Sequence, residues 1–264
     1  MTKQELMFEN LRTRFDILQT RGGMSVADAV FRALRLEIVT IALPPGTRLT
    51  EQEIGDQLHI SRQPVREALV RLRDIELVVV KAQRGSFVAP IDATAVRSAQ
   101  FVREAIETAI VRRAAASDMS REMDGLKELL AAQETAVRRA DAAAFFRLDE
   151  RFHCTLAAMV GCSPAWRTIE NVKGHMDRVR YLSLPDATPL DRLMDQHREI
   201  ADAIAAGAPG RAAKAMEEHL REIILSLPVL ANRYPDFFQR ETETRNRLGA
   251  DVVREELETP RLGS

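Results

Sequence analysis

At 264 residues the chain is long enough for two domains, each with its own core, and a formal net charge of −1 leaves any nucleic-acid contact to a focused basic patch rather than a basic surface. Two cysteines, no apolar run of membrane length and no signal-peptide pattern point to a soluble, cytoplasmic protein of a reducing compartment that engages no membrane. Aromatic residues make up only 5%, while Ala, Leu, Arg and Glu are abundant, which favours helices and a mainly α fold. Cys154 and Cys162 read as buried thiols, with a redox switch as the alternative.

Residues 1–24 form an N-terminal extension that ends in Arg21-Gly22-Gly23. Met7, Leu11, Phe15 and Leu18 recur at helical spacing, so a helix packed on a neighbour and a loose terminal arm both stand open. Further along, Thr50-Glu51-Gln52-Glu53 is a capping box followed by Ile54 and Leu58, which predicts a short helix. His59-Ile60 makes a tight turn, and Ser61 caps a second helix whose early proline costs no internal hydrogen bond. Val65, Ala68, Leu69 and Leu72 face a core, leaving Arg62, Gln63 and Arg66 on the opposite face of the first turns. The order helix, turn, helix is that of a helix-turn-helix.

Leu77–Lys81 and Ser86–Ala89, joined through Ala82-Gln83-Arg84-Gly85, then read as a β-hairpin, the wing of a winged helix. Residues 61–84 hold six basic side chains against Glu67, Asp74 and Glu76, a local excess of three positive charges. Phosphate neutralisation needs such focused charge. Arginine pairs bidentately with guanine and glutamine with adenine, which assigns base contacts to Arg62, Gln63 and Arg66, with Arg84 and Gly85 near a minor groove or phosphate. A three-helix structural module with an accidental basic face is the competing reading.

Three ordered motifs narrow the choice: Leu43-Pro44-Pro45-Gly46-Thr47-Arg48-Leu49, Ser61 to Leu69, and Arg84-Gly85-Ser86-Phe87-Val88. On these, residues 26–90 resemble the winged helix of GntR-family transcription regulators. The resemblance implies a DNA-binding domain over 25–90 that uses Arg48, Ser61, Arg62, Gln63, Arg66, Arg84 and Gly85. His59 and Glu76 stand where the family usually has glycine. Both positions call for positive φ, which histidine tolerates better than glutamate, so the turn before the wing is expected to be reshaped.

From Asp92 onward the punctuation divides the chain into about six helices, near 92–117, 120–139, 141–160, 164–182, 189–206 and 209–231. Asp92, Ser120, Asp141 and Ser163 serve as N-caps, and Gly161, Pro185, Gly207 and Pro209 as stops. Short links between such helices imply an all-α antiparallel bundle over 91–232. Residues 233–264 form a charged tail, read as partly helical and partly disordered.

Asp149 and His153 are four apart and share one helix face, while His197 and His219 lie on the last two helices. They could meet in the bundle core and bind a borderline divalent metal, or each could be an ordinary core or surface histidine. Residues 92–230 resemble the FCD effector domain of the FadR-type branch, many of whose members carry an Asp-x-x-x-His pair followed by two later histidines. That resemblance implies that Asp149, His153, His197 and His219 hold a divalent metal, zinc first, then nickel or manganese. Arg103 resembles the first-helix arginine that meets effector carboxylates in similar domains. His175, outside the quartet, is either a polar helix position or an effector contact, and Arg180 is either an effector contact or a solvated arginine.

The expected whole is a homodimeric repressor that binds a palindromic operator in double-stranded DNA and answers to a small carboxylate effector. One rival is a helical-bundle metalloenzyme. Glu150-Arg151-Phe152-His153 supplies one Glu-x-x-His motif, but Val172, Met194 and Met216 stand three before the other bundle histidines, so a second is missing. The other rival is a constitutive DNA-binding protein without an effector.

Overall fold

The computed structural model describes residues 3–20, 23–184 and 188–239 of the chain. Helix α1 (Lys3–Thr20) precedes α2 (Val26–Val39), a two-residue strand β1 (Arg48–Leu49), α3 (Glu51–Leu58), α4 (Arg62–Asp74), and strands β2 (Val78–Lys81) and β3 (Gly85–Val88). The three strands form an antiparallel sheet in the order β1-β3-β2, with Phe87 of β3 opposite both Arg48 and Val79. Ser25 and Thr50 cap α2 and α3 by accepting from the backbone N–H of Asp28 and Glu53. Val65, Ala68, Leu69 and Leu72 are buried against α2, as their spacing requires. The extension is a packed helix: Leu11 and Phe15 enter the same core, and Arg14 pairs with the buried Glu37 of α2. Met7 has no described side chain.

His59 and Glu76 both take left-handed backbone, at φ 55° and 59°. The turn before the wing is therefore kept rather than reshaped. Its closing bonds are made, from Glu76 N–H to Arg73 C=O and from Leu77 N–H to Leu72 C=O, both 2.9 Å. A Cβ in this region costs about 1–2 kcal/mol. Glu76→Gly is expected to raise stability by about 0.5–1 kcal/mol, the relief being partly offset by the greater freedom of glycine in the unfolded chain. A denaturation midpoint that falls instead would contradict this.

The bundle comprises α5 (Ala93–Ala115), α6 (Met123–Arg138), α7 (Ala142–Met159), α8 (Ser163–Val172), α9 (Gly174–Ser183), α10 (Leu190–Ala205) and α11 (Pro209–Arg233). Seven helices replace the expected six because the 164–182 segment breaks at Lys173. Lys173 is buried, its ammonium held by Glu150 and Asp177 at 2.7 Å each, and Gly174 lies so close to Leu77 that an added Cβ would sit 3.0 Å from its Cδ2. The break turns α9 onto the winged helix. Asp92 and Asp141 cap as expected, but the segment around Ser120 stays a turn and α6 starts at Met123. Cys162 takes the N-cap position expected of Ser163, Pro209 opens α11 rather than closing its predecessor, and Pro185 lies outside the described residues. Cys154, within α7, is exposed, and Cys162, which packs partly against the bundle core, is half-buried, against the expectation of buried thiols.

The two halves are joined through shared cores and polar contacts. Val39 of α2 packs with Phe145, Phe146, Leu184 and Leu193 of the bundle. Residues expected to begin the charged tail are tied to the interdomain linker: Ile91 N–H donates to Phe237 C=O at 2.7 Å, and Gln239 N–H to Ile91 C=O at 2.9 Å. From residue 240 the tail lies outside the described residues.

Candidate functional site

Two sites stand apart, one on the winged helix and one in the bundle core. Arg62, Gln63 and Arg66 are exposed on the first turns of α4, and Ser61 occupies its N-cap position without a side-chain cap bond. Arg66 makes a bidentate pair with Glu51 at the start of α3, both bonds 2.9 Å, and Gln63 donates to Glu67 at 3.0 Å. This pairing pulls the Glu51 carboxyl below its ordinary range. Such exposed pairs are weak, so both groups can be redirected to a stronger partner. Arg84 and Gly85 are exposed at the wing turn, where Gly85 has φ 99°, and the Arg48 guanidinium lies over Gly85.

In the bundle, α7 presents Asp149 and His153, α10 presents His197 and α11 presents His219. All four are buried, and one ligand atom from each lies within 4.8 Å of the others. His219 Nε2 is 3.2 Å from His153 Nε2 and 3.3 Å from His197 Nε2, while Asp149 Oδ1 is 3.4 Å from His197 Nε2. The outward ring nitrogens explain this crowding. His197 Nδ1 meets Gln133 Oε1 at 2.9 Å, His219 Nδ1 meets Gln196 Oε1 at 3.1 Å, and His153 Nδ1 is 2.5 Å from Glu107 Oε2. The Nδ1 atoms of His197 and His219 meet glutamine acceptors and that of His153 lies against a carboxylate, an arrangement that favours the ring proton on Nδ1 and a lone pair on each Nε2. Burial and the neighbouring histidines hold His197 and His219 well below the ordinary histidine pKa, which keeps them neutral.

Three inward lone pairs beside a carboxylate repel one another unless a cation lies between them. A zinc ion bound at its usual imidazole distance holds neighbouring donors about 3.3 Å apart, close to three of the separations, while Asp149 Oδ1 and His153 Nε2 are 3.9 Å apart. The donor set therefore fits a borderline divalent cation. Glu107, Gln133 and Gln196 are the supporting groups that sequence reasoning missed. Glu107 carried one signal, its i,i+4 spacing from Arg103; a glutamine that orients a distant ring carries none. Burial raises the Glu107 carboxyl pKa, but Arg103 and His153 outweigh it and keep the group ionised. Glu107→Gln is expected to weaken metal binding about 10- to 100-fold, measured by competition with a chelator; unchanged affinity would remove Glu107 from that role.

Above the cluster is a cavity of about 40 Å³ lined by Arg103, Phe146, Asp149, Arg180, Thr188, His219 and Glu222, among others. Arg103 donates to Glu107 at 2.5 Å through Nε, whereas its buried Nη2 has no hydrogen-bond partner among the described residues. Arg180 donates to Asp149 and, at 3.1 Å, to Asp177. The expectation for His175 is corrected, because the turn at Lys173 points this ring away from the cavity and into the domain junction. His175 Nδ1 accepts from Asp92 N–H at 3.0 Å and from Arg178 at 2.7 Å, so its Nε2–H donates to Glu76 C=O at 3.1 Å. It holds the strained residue before the wing.

A winged helix with a basic opening turn, joined to a helical bundle, defines a DNA-binding transcriptional regulator. The chain belongs to the GntR family: residues 26–88 match the model of bacterial regulatory proteins of the gntR family, and residues 100–222 match the FCD domain. It is 38% identical to the HTH-type transcriptional repressor RspR of Escherichia coli (strain K12) over 84% of this chain and 98% of that protein. Its fold is shared with E. coli McbR/YncC, at TM-score 0.67 and 20% identity over 80% of this chain and 100% of that one. A GntR regulator structure from Rhodococcus sp. RHA1 aligns at TM-score 0.64 and 26% identity over 78% and 99%. These families and relatives are transcriptional regulators rather than enzymes. Among the described residues no helix is long and apolar enough to cross a membrane.

Proposed function

We propose that the protein is a cytoplasmic, homodimeric repressor whose affinity for a palindromic operator is set by a small carboxylate bound in the bundle cavity. One observation carries this reading: three imidazole nitrogens and Asp149 converge beside a cavity lined by Arg103, whose buried Nη2 has no hydrogen-bond partner among the described residues. Asp149, His153, His197 and His219 would hold the divalent ion, with zinc ahead of nickel or manganese on its preference for imidazole and carboxylate donors. When bound, the ion supplies a Lewis-acidic charge that attracts a carboxylate oxygen. Arg103 and Arg180 orient the same anion by charge-assisted hydrogen bonds.

On the DNA side, Arg62, Gln63 and Arg66 read base edges in the major groove, Ser61 and Arg48 lie near the backbone, and Arg84 and Gly85 form the wing contact. A two-fold dimer places two recognition helices on symmetric half-sites. The carboxylate changes operator affinity only to the extent that it favours one arrangement of the winged helices over another. Selection of genomic fragments by the purified chain at physiological salt, with metal content measured on the same sample, tests the reading. A shared palindrome with stoichiometric bound metal is expected; retention without a common sequence, or a metal-free protein, would contradict it.

A further inference from the structure

The charged groups below the cavity continue to the DNA-binding half. Arg180 of α9 donates through Nη2 to Asp149 and through Nη1 to Asp177 Oδ1 at 3.1 Å. Asp177 is buried, and its Oδ2 accepts from Lys173 at 2.7 Å and from Arg35 at 3.1 Å. Arg35 belongs to α2, whose apolar face shares a core with recognition helix α4. Asp149, Arg180, Asp177 and Arg35 thus form an unbroken line of ion pairs from the donor cluster to the winged helix. A buried charge cannot be left uncompensated, so the cations around Asp177 compete for two oxygens. Any re-aiming of Arg180 alters the hold on Arg35.

The start of α9 is anchored independently. Arg178 donates to Ala89 C=O at 2.6 Å, and His175 holds Asp92 and Glu76. One turn of helix is therefore fixed to the linker and wing, while Asp177 and Arg180 on the same helix face α2 and the cavity. An anion entering the cavity competes for Arg180 with Asp149, Asp177 and Glu150.

We propose that Asp177 is the positioning residue of this regulator: its carboxylate, shared by Arg180 and Arg35, transmits a change at the cavity to α2 and so to the recognition helix. The trigger rests on the proposed carboxylate effector, whereas the coupling is a property of the chain alone. Removing Asp177 would leave Arg35 with only the Glu170 carbonyl and take one carboxylate from Lys173 and Arg180, which keep Glu150 and Asp149, so the test uses the two arginines it joins. Hydrogen exchange is measured on the full-length chain carrying Arg180→Gln, Arg35→Gln, or both. Arg180→Gln is expected to speed amide exchange severalfold in α2, and to change it little further once Arg35 is already Gln. Equal, additive effects in both backgrounds would overturn the coupling. Should Arg180→Gln melt the bundle, Arg180→Lys keeps the charge without the fork and is expected to give the same non-additivity at smaller amplitude. Metal content and operator affinity of the unsubstituted chain, measured on the same preparation, decide the effector reading separately.

Discussion

Replacing His197 and His219 together by alanine is expected to abolish tight metal binding and every response to a carboxylate, while dimeric DNA binding persists. Loss of one supporting partner to a ligating histidine costs about 10- to 100-fold in metal affinity. Loss of two of four donors goes well beyond that, because Asp149 and His153 from one helix cannot enclose an ion. The wild-type chain should gain thermal stability on zinc addition, since an ion bound only by the folded state stabilises it by about 4 kcal/mol at a thousandfold excess over its Kd. The double variant should show no such gain. The donor cluster lies in the bundle, and the exposed first turn of α4 lies on the winged helix, so operator binding has no direct dependence on the two rings. Elemental analysis is the check: stoichiometric metal in the double variant would show that the four-residue set is wrong.

Arg66→Ala is expected to weaken operator binding about 10- to 100-fold and to relax discrimination at one base position, with the fold unchanged. The Arg66 side chain is 60% exposed and pairs with the half-buried Glu51, so its removal disturbs no core. Glu51 holds the same fork geometry that a guanine edge would take. A phosphate-contacting arginine would behave differently, weakening all sequences alike and lowering the salt slope. Competition between operator and scrambled DNA at two salt concentrations separates the cases; unchanged affinity would take α4 out of the groove.

What could be read from the residues alone follows from how local each signal is. The α4 face was legible because Val65, Ala68, Leu69 and Leu72 repeat at helical spacing and all prove buried. The positive φ at His59 and Glu76 was legible because the family that the motifs resemble usually has glycine at both positions, although the glutamate accepts the conformation without distorting the turn. Arg103, Asp149 and the three bundle histidines were placed by motif, and the helix packing brings them together. The break at Lys173 was not legible, because residues 164–182 hold no internal stop other than Gly174 and the reason lies in tertiary packing against Leu77. Of the two readings of His175, its bonds to Asp92, Arg178 and Glu76 favour the polar helix position over the effector contact, and the same turn decides which way its face looks. Strand β1 is two residues long, too short for any alternation. Gln133 faces the His197 ring, and Gln196 bridges the His219 ring and Glu222, and no spacing announces either.

The most direct test of the account is the affinity of the zinc-loaded full-length chain for its selected genomic palindrome, measured across a panel of small hydroxy- and sugar-acid carboxylates. At least one acid is expected to change operator affinity by about 5- to 150-fold, and the change should vanish when zinc is stripped. Operator affinity that no acid moves, with or without metal, would contradict a ligand-responsive regulator and leave a constitutive DNA-binding protein.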